Sequence, residues 1–110
     1  MTDKIPYSDF EKLDLKVGKI LEVKDHPNAD KLYVLTVDLG EESQRTIVAG
    51  LKPYYKKEYL LNKKAIFVAN LQPVILRGIE SNGMILAADN KKKVIFLKPE
   101  KDIEIGSKIK

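Results

Sequence analysis

The stretch Arg45-Thr46-Ile47-Val48-Ala49-Gly50, then Pro53-Tyr54-Tyr55-Lys56-Lys57-Glu58-Tyr59-Leu60-Leu61-Asn62, then Ala65-Ile66-Phe67-Val68-Ala69 decides the fold. Its two ends are short runs of β-branched, aliphatic and aromatic residues, which read as strands. Between them Pro53 stands where a first helical turn tolerates a missing N–H, and Asn62 supplies a stop, so one short helix of about two turns is expected over 54–61. The run over Lys64–Asn70 is apolar at nearly every position, as in a strand buried on both faces or forming a barrel wall.

Working outward, Tyr33, Leu35, Val37 and Leu39 alternate with polar residues until Gly40, and Leu13, Leu15, Val17, Leu21 and Val23 do the same around Lys19. Both are half-buried strands by period, joined through the turn composition of His26-Pro27-Asn28-Ala29-Asp30. Gly18 predicts a bend or bulge in the first strand. Ser8 and Glu11 have capping-box spacing and predict a single helical turn around Asp9–Lys12. Beyond Asn70 a loop carries Pro73 and Gly78. A fifth strand is expected over Met84–Ala88, a sixth over Val94–Leu97, and the tail through Ile103, Ile105 and Ile109 has room for a further short one. Five strands with a short helix between the third and fourth is the order of the oligonucleotide/oligosaccharide-binding (OB-fold) barrel. The expected class is therefore all-β with one short helix, as a single domain over 1–110.

The 110 residues are one domain's worth of chain and exclude a multidomain enzyme. With 44% hydrophobic residues the chain can build a core, and its 33% charged residues exceed the usual ~25%. Lys and Arg number 20 against 16 Asp and Glu, but residues 1–50 hold 7 basic and 10 acidic side chains whereas residues 51–110 hold 13 and 6. The second half is the one suited to an anion. There is no cysteine and only one histidine, so no disulfide, thiolate nucleophile, metal site or cofactor is expected. No apolar run approaches the ~18 residues of a membrane span, and Met1-Thr2-Asp3-Lys4 does not open a signal peptide. The expectation is a cytoplasmic, non-membrane protein with nothing removed from either end.

Catalytic chemistry is poorly supplied. His26 precedes a proline in a turn, and no Ser lies in a nucleophile elbow or a Gly-rich phosphate loop. Asp25 and Asp30 read as solvated turn residues. RNA binding is better supplied, since it needs cations for phosphates, polarisable groups for stacking and amides for base edges. Lys63, Lys64 and Arg77 flank the fourth strand and its exit loop. Asn70, Gln72 and Asn82 are amides in or beside that loop, and Met84 opens the next strand. Each alone reads as a turn or core residue, but together they crowd one loop. Of Tyr54, Tyr55 and Tyr59, helical spacing predicts that only one is exposed enough to stack.

The blocks Asp14-Leu15-Lys16-Val17-Gly18-Lys19-Ile20, His26-Pro27-Asn28-Ala29-Asp30-Lys31-Leu32-Tyr33, Arg45–Gly50, Val68-Ala69-Asn70-Leu71-Gln72-Pro73 and Gly78–Ala88 occur in an order and spacing that closely resemble the tRNA-binding domain family. That family includes the C-terminal domain of bacterial methionyl-tRNA synthetases, free-standing structure-specific tRNA-binding proteins and the archaeal methionyl-tRNA synthetase beta subunit. The resemblance runs from about Phe10 to the end. It implies a non-catalytic barrel that holds tRNA by shape and backbone, either free-standing or as a synthetase subunit. It implies RNA contacts at Lys31, Asn70, Arg77, Ser81 and Met84. It also implies a barrel over about 10–90 and a homodimerisation extension over 91–110, where Val94, Ile95, Phe96, Leu97, Ile103 and Ile105 have apolar surface to bury. The family's usual basic residues after Asn70 are replaced by Gln72, Val74 and Ile75. That departure keeps two alternatives in view: a protein-interaction module docking on a synthetase, and a relative of the export chaperone CsaA.

Overall fold

The computed structural model describes residues 2–110. Strand β1 (Leu15–Asp25) is the spine of the molecule, pairing antiparallel with β2 (Tyr33–Asp38) on one side and β4 (Lys64–Val68) on the other. Its alternation turns Leu15, Val17 and Ile20 inward. The bulge lies between Ile20 and Glu22, not at Gly18. Gly18 is needed for close approach: a Cβ there would stand 2.6 Å from Leu39 Cδ2 and 2.8 Å from Phe67 Cδ1.

With β3 (Arg45–Ala49) and β7 (Met84–Ile85) the sheet has the order β3-β2-β1-β4-β7. The two edges are brought together by the hairpin of β5 (Val74–Leu76) and β6 (Ile79–Ser81), which lies against β3. The Val48 N–H donates to Ser81 Oγ at 2.9 Å, and the Asn82 N–H donates to the Thr46 carbonyl at 2.8 Å. The result is a five-stranded antiparallel, nearly closed barrel of OB-like form. Ile20, Leu35, Val37, Leu39, Ile47, Leu60 and Phe67 fill it, each no more than 1% exposed.

The expected loop with Pro73 and Gly78 is thus a β-hairpin. Arg77 (φ 53°) and Gly78 (φ 92°) form its two-residue turn, both in the left-handed region that matches strand twist in such turns. The fifth strand divides at Leu86 into β7 and β8 (Ala87–Asp89), because Leu86 donates to the Ile66 carbonyl and accepts from the Leu97 N–H. Strand β8 pairs with β9 (Val94–Phe96).

Helix α1 (Tyr7–Glu11) starts earlier than its capping-box spacing predicts. Extended Pro6 occupies the N-cap, and Ser8 makes no cap bond. Helix α2 (Lys57–Leu60) is a single turn, since Lys56 is extended and residues 51–54 form a separate turn on the Leu51 carbonyl. Tyr55 packs on Phe96 and stacks on Tyr59, leaving Tyr54 and Tyr59 exposed rather than one tyrosine alone.

The C-terminal segment is largely part of the barrel. Phe96 is in the core, and residues 106–109 pair with the start of β1 through Val17 N–H to Ser107 O, Gly106 N–H to Val17 O and Ile109 N–H to Leu15 O. Ile95, Leu97 and Ile103 remain exposed. Among the described residues no helix is long and apolar enough to cross a membrane.

Candidate nucleic-acid interface

The β5–β6 hairpin decides where the candidate residues stand. Its tip carries Arg77, and the turn after β1 grips that tip. His26, 4% exposed, accepts the Asn28 N–H on Nδ1 at 3.0 Å, so its Nε2 carries the proton and donates to the Leu76 carbonyl at 2.9 Å. Asn28 Nδ2 also reaches the Arg77 carbonyl at 3.5 Å. Nothing in a histidine before a proline announces this buried clasp. The grip brings Lys31 and Arg77, both exposed, to one notch of about 320 Å³. With the Asp30 carboxylate on the same rim, the guanidinium and the ammonium still give the notch a net positive charge, which suits a phosphate.

From that notch β6 runs along β3 to the second cluster, roughly 17 Å away by strand rise. Val68 pairs with Met84, so the 45% exposed Met84 stands at the end of β4, where the chain runs on to Asn70 and Gln72 and where Asn82 precedes β7. Arg45 organises this corner. Its Nη1 donates to the Ala69 and Asn82 carbonyls, and its Nε and Nη2 hold Glu41 at 2.9 and 2.8 Å. The Arg45 guanidinium, with burial opposing and Lys16 adding, holds the Glu41 carboxyl below its usual value. In the sequence Arg45 reads as a strand residue only.

Two expected contacts are also bonded within the fold. Ser81 is 3% exposed, and its hydroxyl accepts from the Val48 N–H and donates to the Gly83 carbonyl, which helps close the barrel. Asn70 accepts the Asp14 N–H at 2.8 Å and donates to the Lys12 carbonyl at 2.6 Å, so its amide latches the segment ahead of β1. Lys63 and Lys64 are not part of this face. They lie at the opposite end of β4 from Asn70, with Lys63 Nζ 4.7 Å from the Tyr59 ring centroid and Lys64 bonded to Asp102 at 2.7 Å. Between the two clusters the hairpin exposes Val74 and Ile75, 50% and 68% accessible.

Residues 15–108 match the family model described as a putative tRNA binding domain. Over 106 residues the chain is 61% identical to a methionine–tRNA ligase of Pyrococcus horikoshii, a match covering 96% of this chain and 14% of that protein. The chain therefore spans about a seventh of the length of such relatives. A MetRS-related protein from Pyrococcus horikoshii superposes with a TM-score of 0.90 at 32% identity, over 98% of this chain and 99% of that one. The CsaA chaperone protein of Picrophilus torridus gives 0.89 at 36% identity, over 97% and 100%.

Proposed function

The chain belongs to the tRNA-binding domain family, and from that premise we propose that it is a non-catalytic tRNA binder acting in the cytoplasm, alone or with a methionyl-tRNA synthetase. The observation that carries the reading is the convergence of Lys31 and Arg77 on one notch at the tip of a hairpin held by a buried histidine. Phosphates are held there. Across β6, Met84 offers a polarisable face to a base, and Gln72 and Asn82 offer amides. Asn70 and Ser81 act one step back, fixing the backbone that presents them. Two copies pair through Ile95, Leu97 and Ile103, giving an RNA two such faces.

Binding of this kind is electrostatic and carries little sequence information. Arg77→Ala should weaken bulk tRNA and individual tRNAs by similar factors, and should flatten the dependence of log affinity on log salt by about 0.7–0.9. Equal salt slopes for wild type and variant would sink the assignment of Arg77.

The exposed Val74 and Ile75 favour a second reading, a CsaA-like hold on unfolded polypeptide. The 61% identity to a synthetase against 36% to the chaperone supports the first. Competition between bulk tRNA and an unfolded polypeptide at physiological salt decides, and preference for the polypeptide reverses the order.

A further inference from the structure

The far end of β4 presents a different concentration of charge. Lys19, Lys63, Lys64, Lys98 and Lys101 line one open cavity of about 510 Å³. Its floor is tied by backbone hydrogen bonds: the Ile20 N–H donates to the Lys63 carbonyl at 2.9 Å, the Asn62 N–H donates to the Ile20 carbonyl at 2.8 Å, and Asn62 takes a left-handed turn (φ 67°) just ahead of β4. Among the described residues two carboxylates line it, Glu100 and Asp102. Asp102 is used by Lys64, whose ammonium holds its carboxyl below the usual value.

Two observations set this cavity apart from a solvated lysine patch. Lys19 and Lys64 are direct cross-strand partners on β1 and β4, and like charges placed opposite each other destabilise a sheet. In addition, Lys19, Lys63, Lys98 and Lys101 make no ion pair among the described residues, whereas Lys16, Lys24, Arg45, Lys52 and Lys57 each have a carboxylate partner. Other cations, among them Lys31, Arg77, Lys91, Lys92 and Lys93, also make no ion pair among the described residues, but here four such lysines share one cavity with Lys64. An anion with several charges spaced along a chain matches that grouping.

We propose that this cavity is a second site for RNA backbone phosphates, separate from the Lys31–Arg77 notch, so that one RNA is held at two places on the barrel. The proposal rests on the tRNA-binding reading and extends it to a site of its own. Lys63 and Lys64 belong to this second site. Lys64 exchanges Asp102 for a phosphate when RNA arrives, and Lys19, Lys98 and Lys101 supply further contacts.

The test compares Lys98→Gln/Lys101→Gln, Lys19→Gln and Arg77→Ala in the full chain, measuring bulk tRNA affinity from low to high salt. The double variant should flatten the log–log salt slope by roughly 1.4–1.8, the loss of two phosphate contacts. Lys19→Gln should weaken tRNA binding and at the same time raise Tm by roughly 1–5 °C, because it removes a cross-strand repulsion. A purely structural lysine would not move the two readings in opposite directions. If Arg77→Ala weakens binding while the lysine variants keep the wild-type slope, the second site is overturned and the tRNA reading stands. If none of the variants changes the slope, the tRNA reading itself fails. Saturable uptake of inorganic phosphate that depends on Lys98 and Lys101, with an unchanged tRNA slope, would show a free-anion site and overturn the RNA assignment.

Discussion

Gly18 and Glu41 show how single side chains set the limits of this barrel. Gly18→Ala forces a methyl into atoms of Leu39 and Phe67 that stand under 3 Å away. Overpacking of this kind costs about 1–3 kcal/mol, which chemical denaturation should reveal as a lowered midpoint with unchanged slope. Glu41 acts through its charge. Because Arg45 depresses its folded-state pKa, the pair contributes stability above the ordinary glutamate value, and that contribution is lost as pH falls through the folded value. Glu41→Gln should therefore lower Tm at neutral pH and make the acid-side decline of Tm shallower. A decline as steep as in the wild type would mean that other carboxylates govern it. Neither role is legible from the sequence. A glycine in a strand signals a bulge or close packing without choosing between them, and Arg45 four residues after Glu41 signals a local pair but not its reach to Ala69 and Asn82.

At the scale of elements, β1 and β2 were legible because a single buried face imposes period two, and β3 because its run is β-branched and apolar. The β5–β6 hairpin escaped because Arg77 holds positive φ without being Asn, Asp or Gly. Its readable signal was Arg77-Gly78 between two apolar runs, with Pro73 just outside. The helix over 54–61 shrank to α2 because Lys56 is extended, and Tyr55 and Tyr59, on either side of that break, both pack against Phe96. The candidate site was legible by residue type but not by placement: the amides lie where expected, while Lys63 and Lys64 sit at the other end of β4. The hairpin also yields a prediction. His26→Ala leaves the Leu76 carbonyl and Asn28 N–H without their partner and frees the tip, so stability should fall by about 1–3 kcal/mol. In addition, tRNA affinity should fall with a loss of salt slope similar to that of Arg77→Ala. Retained affinity at a temperature where the variant is folded would show that the tip needs no clasp.

For the molecule as a whole, the uneven charge along the sequence is redistributed by folding into two separate basic sites, one at the β5–β6 tip and one at the Lys64 end of β4, with the acidic first half taken up in pairs such as Asp25 with Lys52 and Lys57. Lys57 and then Lys52 hold the Asp25 carboxyl below its usual value. Pairing of two copies cannot be tested by cutting the chain at Asn90, because that removes Phe96 from the core and the residues that pair with β1. Ile95→Asp with Ile103→Asp changes only exposed side chains and should halve the sedimenting mass while the fold is kept. A mass equal to that of the wild type would move the contact elsewhere.

The edges of the main sheet meet at β3 through a serine hydroxyl, one loop amide and the Arg45 guanidinium, not through a continuous ladder. In terms of native-state opening, this seam is the hinge along which the barrel first comes apart, and amide protons of Thr46, Val48 and Asn82 should exchange with solvent ahead of those on β1. A polyanion lying from the hairpin tip to Met84 crosses that seam and closes it. Occupancy would then be recorded as slowed exchange at these amides, even where the average backbone does not move.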